Sequence, residues 1–318
     1  MTRDRRPADE SRLLQLVYYL YVAGSWIAAR IPERLAYALA NVLGGIGMRR
    51  SRRRAIVEKN LSRITELPVG SEELAVTVRA AFASYARYWL ETFRLVRKDA
   101  EFFLDRFRAE GEENLDAVME RYGKGAIVVV GHLGNWDAAG AWVGATGRRL
   151  VTVVEELRPR RMFEFFADHR ARLGMTIYPA RAGVTADLMR EVEAGAVLAI
   201  LGDRDLKGRG VKVRFFGEDT TFPAGPASIA LRTGVPLMVA GVFSETLDDG
   251  KHGWRAVIDP PLPLPEAGPG ALQTLTQRVA QELERMVAMR PEEWHVFQPF
   301  WLADRPAREG GQSGRAEA

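Results

Sequence analysis

Gly125-Ala126-Ile127-Val128-Val129-Val130-Gly131-His132-Leu133-Gly134-Asn135-Trp136-Asp137 is the stretch from which the fold is read. Its first half is apolar and β-branched, the pattern of a buried strand. The run stops at Gly131. Beyond Asp137 comes Ala138-Ala139-Gly140-Ala141-Trp142-Val143-Gly144-Ala145, a small-residue helix able to pack closely on a sheet. His132 therefore stands where a strand gives way to a helix, at the strand's carboxyl end. Open α/β sheets place their ligands there.

A neutral imidazole in that position can take a proton from an alcohol as the alcohol attacks a carbonyl. It does so better when its second ring nitrogen donates to a carboxylate, which fixes the tautomer and stabilises the imidazolium. A reversing turn between His132 and Asp137 lets their side chains meet. The same spacing also fits a surface histidine followed by an aspartate that caps a helix.

Outward from this stretch the pattern alternates. Strand-like runs lie near 126–130, 150–154, 176–178, 197–201, 236–243 and 254–258. Helical runs lie near 136–146, 160–173, 185–194, 225–233 and 270–289. Such alternation predicts an α/β fold, a mostly parallel central sheet with helices on both faces. Upstream the reading is helical, over 13–29, 32–48, 55–64 and 72–97. The organisation expected is a loose N-terminus (1–12), a helical membrane-associated region (13–100), an α/β domain (101–304) and a disordered tail (305–318).

The membrane expectation rests on two signals. Leu13–Ala29 carries no charge and includes Tyr18, Tyr19, Tyr21 and Trp26, which suit a bilayer interface. It is short for a span, which takes about 17–25 residues. Arg49, Arg50, Arg52, Arg53 and Arg54 follow closely and suit an anionic leaflet. A buried amphipathic helix is the competing reading of the first signal. Nucleic acid is not expected as a partner, because aromatic interleaving and any known nucleic-acid fold signature are missing. The 318 residues include no cysteine, so disulfides and cysteine-based metal sites are excluded. His132, His169, His252 and His295 show no metal-ligand spacing.

Further constellations sit at strand ends or helix starts. Glu155 closes the second strand run. Arg170 lies in a helical run before Leu173-Gly174. Gly202-Asp203-Arg204-Asp205 follows the strand at 197–201 and sets two acids around one arginine. One acid there can support His132 while Arg204 holds an anion. Phe215-Phe216-Gly217 and Pro223-Ala224-Gly225-Pro226-Ala227 read as the wall of a groove for a long apolar chain. Pro291-Glu292-Glu293-Trp294-His295-Val296-Phe297-Gln298-Pro299-Phe300-Trp301 reads as core.

Taken together and in order, these blocks resemble the bacterial lipid A biosynthesis lauroyl/myristoyl acyltransferase family. The likeness is greatest to its actinobacterial branch, which acylates phosphatidylinositol mannosides. The resemblance spans nearly the whole chain. It implies a glycerolipid-acyltransferase-like α/β domain on the cytoplasmic face of the plasma (inner) membrane, peripheral or shallowly anchored. It also implies acyl-CoA or acyl carrier protein as donor, a glycolipid hydroxyl as acceptor, and no cofactor or metal beyond acyl-CoA as co-substrate. By position, His132 is then the general base, with Asp137 shaping its surroundings and either Asp203 or Asp205 orienting it. Arg170 and Arg204 bind phosphate or the developing oxyanion, and Glu155 and Tyr178 face the acceptor. Lipid A itself or another phospholipid or glycolipid is the alternative acceptor.

Two readings from other classes compete. Gly131-x-x-Gly134 after a strand, with Glu155 ending the next, loosely outlines a dinucleotide-binding oxidoreductase. The Gly-x-Gly-x-x-Gly fingerprint is absent, however. A non-catalytic membrane scaffold has no need of His132 and Asp137.

Overall fold

The computed structural model describes residues 12–156, 160–205 and 208–305. The loose N-terminus and the disordered tail expected at the two ends fall outside it except for residues 12 and 305, as does 157–159 of the Glu155–Pro159 stretch.

Four helices come first: α1 (Arg12–Ala28), α2 (Glu33–Arg50), α3 (Arg54–Thr65) and α4 (Glu72–Leu95). Ser71 starts α4 by accepting the Leu74 N–H at 3.2 Å, and Glu72 and Glu73 complement the helix dipole. α2 crosses α4 so closely that a Cβ on Gly44 would lie 2.6 Å from the Ala83 Cα. α1 turns Tyr21 onto Trp89 and Phe93 of α4 and leaves Leu16, Tyr19, Leu20, Trp26 and Ile27 exposed. On α2, Leu35, Val42, Leu43 and Ile46 are exposed as well. No helix among the described residues is long and apolar enough to cross a membrane.

The chain then runs α5 (Ala100–Arg106), β1 (Phe107–Glu110), α6 (Glu112–Tyr122), β2 (Ala126–Val130), α7 (Trp136–Ala145), β3 (Leu150–Val154), α8 (Arg160–Arg172), β4 (Met175–Pro179), α9 (Val184–Glu193) and β5 (Val197–Leu201). It continues through β6 (Val211–Phe215), β7 (Glu218–Phe222), α10 (Gly225–Thr233), β8 (Leu237–Thr246), β9 (His252–Ile258) and α11 (Ala271–Met289). The central sheet has seven strands in the order β1-β9-β8-β2-β5-β3-β4. β8, β2, β5, β3 and β4 run parallel; β9 is antiparallel to β8, and β1 follows β9. The sheet is thus mostly parallel, as expected.

Successive residues of β2 serve opposite faces. Val128 and Val130 face α7, and the other side is covered by α10 and α11. The hydrophobic core runs without a break from Val57, Leu61 and Val78 of the N-terminal helices into Ile127, Leu198 and Met238 of the sheet.

α5, β1, α6 and the β6–β7 hairpin were not anticipated. β1 is an edge strand with only Phe107 buried, too short to show a period. The hairpin turns on Phe216 and Gly217, with φ of 48° and 74°. Two successive left-handed residues are what a tight hairpin turn requires. This corrects the groove-wall reading of Phe215-Phe216: Phe215 is fully buried against Phe222, Phe300 and Trp301. After α11, residues 290–301 return across the sheet as a strap, and Trp294, Phe297, Phe300 and Trp301 are core, as expected.

Candidate active site

The turn from β2 into α7 is built around Gly134. Its φ is 59°, and a Cβ there would lie 2.1 Å from the Val242 carbonyl oxygen, so only glycine fits. Asn135 caps α7, its Oδ1 accepting the Ala138 N–H at 3.0 Å. Its Nδ2 donates to the buried Glu91 of α4 at 2.7 Å. Glu91 also accepts from Trp254 Nε1, and the His252 imidazole lies 2.8 Å from its other oxygen. Burial pushes the Glu91 carboxyl up, but His252, Asn135 and Trp254 outweigh it and hold it below the ordinary range.

With the helix start pinned, Trp136 and Asp137 diverge. Trp136 turns its ring toward His132, the centroids 5.3 Å apart. Asp137, 1% exposed, points the other way. It accepts from Arg170 Nε at 2.7 Å, Arg170 Nη2 at 3.2 Å and Tyr88 O–H at 3.1 Å. The expectation that Asp137 meets His132 is therefore corrected: one helical step carries it about 100° round, toward α4 and α8. Asp137 is not the helix cap either.

His132 pairs with Asp203 instead. Its Nδ1 lies 2.6 Å from Asp203 Oδ1, and its backbone N–H donates to Oδ2 at 2.9 Å. A carboxylate accepts, so Nδ1 carries the proton, and in the neutral imidazole Nε2 then presents a lone pair. Nε2 has no hydrogen bond among the described residues, and His132 lines a cleft. Asp203 is 1% exposed and also accepts the indole N–H of Trp294 at 2.9 Å. Burial pushes its carboxyl up, but the His132 and Trp294 donors prevail and keep it below the usual carboxylate range. Asp205 faces elsewhere: its Oδ2 accepts the Gly210 N–H at 2.6 Å, and it organises its own loop. Of the two candidate acids, Asp203 alone reaches the histidine.

The cleft holds about 580 Å³, within the range of small-molecule sites. It opens at the carboxyl ends of β2, β3 and β5. Tyr85, Tyr88, Trp89, Trp136 and His295 form one aromatic wall, and Pro223, Gly225, Pro226 and Ile229 of the α10 start are also in its lining. Glu155, Arg170 and Arg204 border it as well. Arg204 Nε is buried without a hydrogen-bond partner among the described residues. Arg170 reaches the cleft but is committed to Asp137. Tyr178 does not line it: its hydroxyl donates to Glu191 at 2.6 Å, which corrects its placement beside an acceptor. Beneath α7 an apolar slot of about 100 Å³ shares Trp136, Val153, Val154, Ile200 and Leu201 with the cleft. Among the described residues, no His, Asp and Glu side chains gather as a metal site.

Sequence alone places Trp294 and His295 in the core, with no part in the chemistry, and does not single out the aromatic wall. Tyr85 and Trp89 belong to the apolar side of an amphipathic helical pattern over 72–97, which carries no sign of a site. The strap meets the β2–α7 turn only in space: Trp294 bridges Leu133, the Gly134 N–H donates to the Glu293 carbonyl, and the His295 N–H donates to the His132 carbonyl at 2.7 Å. Burial pushes the His295 imidazole down to about 3, so it stays neutral.

Burial pushes the neighbouring Glu293 carboxyl up to about 7, against the Ser244 N–H, Arg87 and Arg290. The unfolded chain releases this proton near pH 4.5 while the folded chain keeps it. Stability from this group is therefore full below pH 4.5 and falls by about 3 kcal/mol as pH rises to about 7. Glu293→Gln should remove that component of the pH dependence, measured as urea stability from pH 4.5 to 7.5. Equal slopes in both proteins would contradict the assignment.

The model of a family described as bacterial lipid A biosynthesis acyltransferase matches residues 6–303. The chain is 32% identical over 292 residues to a phosphatidylinositol mannoside acyltransferase of Mycolicibacterium smegmatis, covering 89% of this chain and 91% of that protein. It is 33% identical over 293 residues to a protein of the same name from Mycobacterium tuberculosis H37Rv, covering 90% of this chain and 89% of that one. The dinucleotide-binding and scaffold readings are set aside.

Proposed function

The chain belongs to the bacterial lipid A biosynthesis acyltransferase family and is an acyltransferase, and on that premise we propose that it moves a fatty acyl chain from an acyl thioester to a mannose hydroxyl of a phosphatidylinositol mannoside. The donor is acyl-CoA or acyl carrier protein. The observation that carries this reading is the His132–Asp203 pair, with the unpartnered Nε2 on the cleft.

In the proposed step the sugar O–H gives its proton to His132 Nε2 as its oxygen attacks the thioester carbon. Asp203 stabilises the imidazolium that forms. Arg204, with its open Nε, faces the oxyanion or a donor phosphate. The C–S bond then breaks, the imidazolium returns the proton to sulfur, and a free thiol leaves. The slot under α7 takes apolar chain out of water. Free-thiol release by the purified protein tests the reading. It should require both palmitoyl-CoA, or a palmitoylated carrier protein, and the mannoside. Release independent of the mannoside, or none with either donor, would count against it.

A lipid acceptor puts the protein on a membrane, and the exposed apolar side chains of α1 and α2 beside Arg49, Arg50, Arg52, Arg53 and Arg54 support peripheral binding on the cytoplasmic face. Replacing these arginines with Gln should weaken binding to anionic vesicles and leave it nearly insensitive to salt, because the screened component is gone. Leu20→Asp with Leu43→Asp should leave only a form that salt washes off. Co-sedimentation across a salt series reads both. Full retention of the Asp variant at high salt would place the contact elsewhere.

A further inference from the structure

We propose that Trp294 is a positioning residue for this reaction: its indole N–H holds the Asp203 carboxylate, as an anion, in the orientation that serves His132. The proposal rests on the acyltransferase reading above.

Asp203 is buried, and a buried carboxylate needs donors for its charge. Three N–H groups converge on it. Two belong to His132 itself, the side chain on Oδ1 and the backbone on Oδ2. The third, Trp294 Nε1 on Oδ2, comes from 91 residues away. Among the described residues it is the one donor to Asp203 that the β2–α7 turn does not itself carry. The strap carrying it is fastened to that turn on both sides, by Gly134 N–H to the Glu293 carbonyl and by His295 N–H to the His132 carbonyl. The indole is itself wedged against Phe215, Phe300 and Trp301. A buried tryptophan needs a partner for its N–H, and here the partner is the acid of the pair.

The consequence is chemical as well as steric. The Trp294 N–H draws charge toward Oδ2. Without it more negative charge rests on Oδ1, the imidazolium is favoured, and His132 holds its proton to higher pH. The carboxylate is also freer to rotate. Other titratable or charged groups around the pair are His295 of the strap, which is neutral, Arg204 beside Asp203, and Glu155 and Arg170 in the cleft lining. Glu293 beside Trp294 is a further one: its carboxylate accepts the Ser244 N–H and titrates at about 7, so the limb is compared in the Glu293→Gln background.

The test uses the full-length protein with Trp294→Phe, with Trp294 replaced by benzothienylalanine (the same shape with sulfur for N–H), and with Phe300→Leu as a packing control. Both changes at Trp294 should lower kcat about tenfold, the effect of one hydrogen bond to a charged group. KM should stay put, and the acid limb of kcat/KM should move to higher pH. In the Asp203→Asn background the same changes should cost little more, because neighbours in one network are not additive. Phe300→Leu should leave the limb in place. The His132 Nδ1 proton resonance should shift in both Trp294 variants, a readout that needs no turnover. Equal losses in both backgrounds with an unmoved limb and an unmoved resonance would reduce Trp294 to packing and overturn the proposal. Absence of thiol release by the wild type would instead overturn the reaction assigned above, and the resonance would still decide the role of Trp294.

Discussion

Replacing His132 with Gln is expected to lower acyl transfer by about 10²–10⁴-fold, the usual contribution of a positioned general base. The protein should remain folded. The His132 backbone N–H would still donate to Asp203, and its carbonyl would still accept from His295, because neither depends on the side chain. Gln can keep a hydrogen bond to Asp203 but offers no basic nitrogen at the position of Nε2. KM for donor and acceptor should change little, since the loss belongs to the transition state. Asp203→Asn should be nearly as severe, because an amide facing Nδ1 no longer selects the Nδ1–H tautomer. Asp205→Asn should matter much less, as its carboxylate is engaged with the Gly210 N–H. A folded His132→Gln protein with near-normal turnover, by thiol release and circular dichroism, would remove the histidine from the mechanism.

The second large effect concerns the fold around the cleft. Arg170→Met leaves the Asp137 carboxylate, 1% exposed, without its cation. Burial alone pushes the Arg170 guanidinium down, but Asp137 outweighs it and holds it above its ordinary range. Removing one partner of such a pair costs about 3–5 kcal/mol, because the other charge remains buried. Adding Asp137→Leu should recover most of that loss, since an apolar pair of similar volume carries no stranded charge. Urea unfolding of the single and double variants reads the coupling directly. If Arg170→Met unfolds at the wild-type midpoint, the pair does not hold α7 against α8. The refolded double variant also shows whether Arg170 touches substrate: transfer restored along with stability makes its role structural.

Much of this arrangement was legible in the order of residues. The β-branched run at 126–130 and the small-residue run after it differ in period, so the strand, the turn and the helix were each visible. His132 and the acid–arginine–acid turn could be flagged because both follow strands that a parallel sheet brings side by side; β2 pairs with β5 directly. The choice between Asp203 and Asp205 was not legible. It depends on which way a loop faces, and here the Gly210 N–H claims Asp205. The partner of Asp137 was misread because the spacing ignores helix phase. With Asn135 as the cap, position 136 faces the histidine and position 137 faces Arg170. Tyr178 is not legible for a similar reason, since only the fold brings Glu191 within reach of its hydroxyl. Trp294 carries no local signal: its aromatic neighbours read as core, which they are, and only the bond across 91 residues gives its N–H a task.

The lipid product tests the proposed transfer most directly. Purified protein, palmitoyl-CoA or a palmitoylated carrier protein, and phosphatidylinositol mannoside in vesicles are incubated, and the extracted lipid is fragmented by mass spectrometry. One added palmitoyl group on a mannose is expected with the wild-type protein, and none above background with His132→Gln. Palmitoyl groups found on another lipid or only as free fatty acid, or the same product from His132→Gln, would contradict it.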